Sequence, residues 1–207
     1  MIGGGIKRLA DFLSENERKL AAHIAGLFDA PEHDAVSLMT KILPGCWITR
    51  DCSEFTIAPR DVYRALHYLH VSSRQAKSYG LDTRKWIWLT GQHLEGCLEY
   101  LTTNVPGIKK SLNRPFGPLV KGLEKEGVLP FPLAKQLLAF NSLANVPAKH
   151  ITASPTVYEL NKTFSVLDAA TAFVVMRKLS IQLFEILRQR GITLPKRWIE
   201  FSNDWLL

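Results

Sequence analysis

No hydrophobic run in this chain is long enough to cross a membrane. The longest, around Ala169 to Val175, falls far short of the roughly 20 apolar residues a spanning helix needs. Cysteine is scarce. Cys46, Cys52 and Cys97 are odd in number and form no regular framework, which excludes a small disulfide-built scaffold and fits free thiols in a reducing cytoplasm. No secretory signal is expected, because Met1 to Gly5 leads into an amphipathic, partly acidic segment. Glycine occurs in no phosphate-loop or dinucleotide-binding spacing, and Gly3-Gly4-Gly5 follows no strand. The absence of G-x-S-x-G argues against an α/β-hydrolase.

Acidic residues are outnumbered. Nineteen Asp and Glu face 26 Lys and Arg, giving a formal charge of +7 and a pI near 9.4. Such a surplus favours anionic partners: nucleic acid, nucleotides or a membrane surface. The basic residues come as scattered pairs, such as Lys7-Arg8, Lys109-Lys110 and Arg177-Lys178, so no polybasic tail is present. At 46% apolar residues over 207 positions the chain can bury a real core. That length fits one large or two small domains.

The periodicity of the apolar residues is helical nearly throughout. Ile6, Leu9, Leu13, Leu20, Ile24 and Leu27 mark one first helix, ended by Pro31. Val36, Met39 and Leu43 suggest a short second one, and Cys46 to Ala58 reads as a loop or small hairpin. A helix opened by Pro59 carries Val62, Ala65, Leu66 and Leu69. Asp82 or Thr83 then caps a long helix with the stripe Ile87, Leu94, Leu98 and Leu101. Pro106, Gly107, Pro115, Gly117 and Pro118 make 104–118 a loop. A short helix from Leu119 to Glu126 stops at Gly127, and Pro130 and Pro132 introduce another, with Leu133, Leu137 and Phe140 on one side. Val146-Pro147 should end that helix, because a residue before proline avoids the α region. Ser165 and Asp168 have the spacing of a capping box. They open a helix that is apolar on most sides and therefore central, ended by Gly191. Trp198, Phe201 and Trp205 mark a last short segment.

Three places hold residues able to do chemistry. Tyr63, His67, His70, Arg74 and Lys77 share one helix face. That face is either a solvated polar stripe, an anion site using Arg74 and Lys77, or a zinc site joining His67 and His70 to Cys46 and Cys52. The loose Cys46-x5-Cys52 spacing counts against metal, and no metal or other cofactor is expected. His93 stands beside Gly91, Gly96 and Cys97; it reads as a residue at the boundary of the core, and the two glycines allow close helix approach. Asn141 to His150 is the most informative stretch. Asn141 and Asn145 are four apart on one face, and Lys149-His150 follows just past the proline. The amides can latch the helix end to the next loop. Alternatively, Lys149 and His150 form a cationic, titratable pair for phosphate binding or acid–base catalysis.

From Trp86 to about Leu187 the order of elements resembles the HEPN superfamily of helical, nucleotide- and RNA-associated domains. The matching parts are the helix carrying Gln92-His93-Leu94-Glu95, the stretch from Gly122 to Pro130, the helix leading to Asn145 and His150, and the final long helix. The chain is also similar to bacterial sequences with a Phe-Asn…Asn…Ala-Lys-His element, here Phe140-Asn141, Asn145 and Ala148-Lys149-His150. The resemblance covers about half the chain. It implies an all-α, HEPN-like helical bundle over 86–207, with 1–85 as additional N-terminal helices that either extend the bundle or stand apart. It also implies a homodimer.

In active HEPN ribonucleases an arginine, often followed by asparagine, precedes the histidine by a few residues. Here His150 and Asn145 match, but Ala144 takes the arginine's place, and alanine cannot stabilise charge at a phosphate. Lys149 is a point charge on the other side of the turn and replaces it only in part. The resulting expectation is a non-catalytic domain that binds RNA, a nucleotide or a protein partner through Asn141, Asn145, Lys149, His150, His67, His70 and Arg74. The alternatives are a variant, toxin-like ribonuclease using His150 with Lys149, and a purely structural interaction module.

Overall fold

The computed structural model describes residues 9–26, 82–108, 115–143 and 164–193. Among the described residues all regular structure is helical: α1 (Glu15–Gly26), α2 (Asp82–Asn104), α3 (Phe116–Lys125), α4 (Phe131–Leu143) and α5 (Val166–Gln189). The all-α expectation is met over this part of the chain. No helix among the described residues is long and apolar enough to cross a membrane.

The single first helix expected from the apolar spacing is interrupted. The chain turns at 11–14 and restarts as α1. The cause is local. Ser14 and Glu17 form a capping box, with the Ser14 amide donating to Glu17 Oε2 at 2.7 Å and the Glu17 amide donating to Ser14 Oγ at 3.3 Å. Two orphan amide groups are thereby satisfied, so a new helix start competes with continuation. Lys178 of α5 holds the junction, its Nζ donating to Phe12 O at 2.8 Å and to Glu17 Oε2 at 2.9 Å. Partial burial pushes the Glu17 carboxyl upward, but the bonds from Lys178 and Ser14 outweigh it and hold the group below its ordinary value.

Helix α3 also differs from expectation. It begins at Phe116, inside the segment expected to be a loop, and contains Pro118. Proline is tolerated there because the first four amides of a helix have no intrahelical acceptor to lose. At the other end, Gly127 takes a left-handed φ of +68°, and the Val128 amide donates back to Leu123 O at 2.9 Å. The end of α5 repeats this device. Gly191 has φ +72°, and Ile192 donates to Leu187 O at 3.0 Å. Both glycines stop their helices where the sequence placed the stops, because a residue with a Cβ is strained at positive φ.

Helix α5 is central, as its pattern implies. Its Ser165–Asp168 capping box is complete, and its buried residues surround the helix from Ala169 to Leu187. It packs against α1, α2 and α4, while α3 packs on α4 and α2. The expected stripe of α2 is all inside, with Ile87, Leu94, Leu98 and Leu101 fully buried. So are Leu137 and Phe140 of α4, with Leu133 nearly so. Leu9, Leu13, Ala21 and Ile24 join the same apolar core. Each buried Leu, Ile or Phe side chain contributes roughly 1.5–3 kcal/mol relative to exposure.

Candidate functional site

Of the residues expected to bind or catalyse, Asn141 alone falls within the described part. His67, His70, Arg74, Asn145, Lys149 and His150 lie outside the described residues. Asn141 is half-buried near the end of α4 and lies against the first turn of α3. A Cβ built on Gly117 would meet Asn141 Nδ2 at 3.3 Å, so the glycine makes room for the amide. Gly117→Ala should gain helix propensity yet press on Asn141. We expect the substitution to be more favourable by about 0.5–1 kcal/mol in an Asn141→Ala background than in the wild type. A double-mutant cycle by denaturant unfolding measures this coupling, and additive effects would separate the two residues.

The polar cluster that the structure brings together lies elsewhere, inside the interface of α2 and α5. His93 Nε2 is 2.8 Å from Ser180 Oγ, and Cys97 Sγ is 3.7 Å from the same nitrogen. The Ser180 hydroxyl also donates to Met176 O at 2.9 Å and lies 3.6 Å from Met176 Sδ. With that proton on the carbonyl, the bond to His93 is best made by an Nε2–H donating to Ser180. His93 and Ser180 have no exposed surface, and Cys97 has 1%. His93 is therefore a core residue and not the boundary residue its sequence neighbours suggested. The signal was present: His93, Cys97 and Leu101 run along one ridge of α2, beside the apolar ridge of Leu94, Leu98 and Leu101. Ser180 shares its ridge with Met176 and Leu183. Sequence alone could not pair the two ridges, because 87 residues separate His93 from Ser180. Gly91 and Gly96 are buried.

A serine hydroxyl at hydrogen-bond distance from an imidazole has the spacing of a nucleophile and its base. This pair lacks what such chemistry needs. Neither group reaches solvent, and the serine proton has a carbonyl acceptor. Burial pushes the Cys97 thiol up to about 12, against a smaller lowering by Ser180, so it remains neutral and inert. The arrangement is a clasp between helices in which imidazole Nε2, hydroxyl and thiol meet in an apolar interface. Thr90, also buried on α2, satisfies its hydroxyl within its own helix, donating to Ile87 O at 2.7 Å. Among the described residues, no group of three or more His, Cys, Asp or Glu is placed to hold a metal ion.

No protein-family model, no curated protein and no solved structure matches the chain.

Proposed function

We propose that this is a non-catalytic, HEPN-like helical protein that binds an anionic partner, RNA or a nucleotide. The observation that carries the reading is the closed state of the His93–Ser180–Cys97 cluster. The groups best able to do nucleophilic or acid–base chemistry among the described residues are spent on holding two helices together. Ala144, in the position where the resemblance calls for arginine, supports the same reading. The formal charge of +7 supplies the attraction for an anion.

The distribution of charge narrows where contact occurs. The described residues hold eleven of the 26 Lys and Arg and ten of the 19 Asp and Glu, so they are nearly neutral. The surplus lies in the remaining segments, most densely in Lys109, Lys110 and Arg114 between α2 and α3, where no acidic residue intervenes. RNA should bind with an affinity that falls linearly with salt on logarithmic axes, by about 0.7 per phosphate contacted on a single strand. Replacing Lys109 and Lys110 by alanine should reduce that slope by about one contact or more. Filter binding across a salt series measures both quantities. Absence of salt-sensitive retention of RNA and nucleotide would remove the nucleic-acid reading and leave a protein partner. RNA cleavage by the wild type that disappears in His150→Ala would overturn the non-catalytic one.

A further inference from the structure

Among the described residues three large apolar side chains are exposed: Trp88 at 36%, Leu167 at 49% and Phe131 at 67%. One exposed apolar residue means little by itself. Phe131 differs in how it is held and in what surrounds it. It opens α4 between two exposed prolines, Pro130 and Pro132. Yet the chain on both sides is anchored in the core, with Val128 and Leu129 buried before it and Leu133 and Ala134 buried after it. The turn is tied further by the Val128 and Leu129 amides, which donate to Leu123 O at 2.9 and 3.2 Å, and by the Ala134 amide, which donates to Pro130 O at 3.0 Å. The prolines fix their own φ. An aromatic ring is thus carried into solvent by a backbone with little freedom left to lose on binding.

The surroundings are basic. Lys135 follows Phe131 by one helical turn and shares its face. Arg190, just past the end of α5, reaches the same turn, its Nη2 donating to Gly127 O at 3.3 Å. Gly127 lies four residues before Phe131, a span of roughly 14 Å at most. Over 125–135 and 185–190, Lys125, Lys135, Arg188 and Arg190 stand against Glu126 and Glu185, and Glu185 is paired with Arg188 at 3.4 Å. Elsewhere the described residues hold seven basic and eight acidic side chains. The positive charge of the described helices is therefore gathered at the end that exposes Phe131. An exposed ring among cations suits unpaired bases: the base stacks on the ring and the cations attract the phosphates. We propose that Phe131 is a stacking platform for one unpaired base of single-stranded RNA, with Lys135 and Arg190 attracting the neighbouring phosphates. The proposal rests on the RNA reading above and adds the contact that engages a base.

The test is binding of a short fluorescein-labelled oligouridylate to the full chain, followed by fluorescence anisotropy across a salt series. Phe131→Ala should weaken binding about tenfold, the effect of losing one stacked base. Phe131→Leu keeps an apolar side chain but no ring and should weaken binding as much, whereas Phe131→Trp should retain it. None of the three changes a charge, so the slope against salt should equal that of the wild type. Lys135→Gln should instead lower the slope by about 0.7. Because the side chain is exposed, the melting temperature of each Phe131 variant should stay at the wild-type value. Undiminished affinity in Phe131→Ala, with salt-sensitive binding by the wild type, overturns the stacking site and leaves the RNA reading standing. Undiminished affinity in Phe131→Leu reveals an apolar contact of the kind a protein partner makes and overturns it equally. A wild type that does not bind the oligonucleotide overturns the stacking site together with the RNA reading.

Discussion

His93→Ala should lower the stability of the fold by about 3 kcal/mol, a large share of what a domain possesses. The imidazole is fully buried where α2 meets α5, so truncation leaves a hole in a close-packed interface. The neighbours can collapse into it only in part. The lost hydrogen bond to Ser180 adds less, because the Ser180 hydroxyl retains the Met176 carbonyl as its acceptor. Ser180→Ala alone should therefore cost only about 1 kcal/mol. The double variant should fall short of the sum by roughly 0.5 kcal/mol or more, since the two side chains touch. Chemical denaturation followed by circular dichroism gives all three values. A His93→Ala variant within about 0.5 kcal/mol of the wild type would place that residue at the surface.

The second large effect is alkaline. The Cys97 thiol ionises near 9.0 when exposed and near 12 in the fold, where burial opposes the thiolate. The folded state therefore holds a proton that the unfolded chain gives up. This contribution to stability is complete below about pH 9 and is lost as pH rises toward about 12, at roughly 1.4 kcal/mol per pH unit. Between pH 9 and 11 the chain should lose about 2–3 kcal/mol through this one group. Burial raises Tyr100 as well, which adds to the alkaline loss in the same direction. Comparing wild type with Cys97→Ala isolates the thiol: the variant's unfolding free energy should fall less steeply over this range, by close to one proton. Parallel slopes would mean that Cys97 is reached by solvent. In the same vein, alkylation of Cys97 at neutral pH should follow unfolding of the chain and not precede it.

Much of the helical framework was legible because short-range chemistry decides it. Gly127 and Gly191 mark helix ends through backbone freedom that needs no partner. Ser165 and Asp168 mark a helix start by a reciprocal pair of bonds within one turn. The stripe from Ile87 to Leu101 shows its inward face by period alone. Where two local signals compete, the reading fails. The apolar spacing of Leu9 and Leu13 continues a helix that the Ser14–Glu17 box interrupts, and the prolines near Phe116 suggest a loop where they sit in the tolerant first turn of α3.

The expected site is a harder case. The residues from His67 to Arg74 and from Asn145 to His150 belong to parts of the sequence outside the described helices, so their expectation rests on residue type and spacing. Asn141 is located, and its neighbour is Gly117, a glycine that the sequence marked only as part of a loop. By itself the sequence determined that the chain is basic, that its described part is helical, and that His93 and Cys97 share a helix face. Those properties follow from charge count and from a period of 3.6 residues. Only the tertiary structure decided that the shared face meets Ser180 and Met176 of α5 in the dry interior. That contact joins positions far apart in the chain, and the burial that turns a reactive thiol and an imidazole into a closed clasp is a property of packing, not of any local stretch of residues.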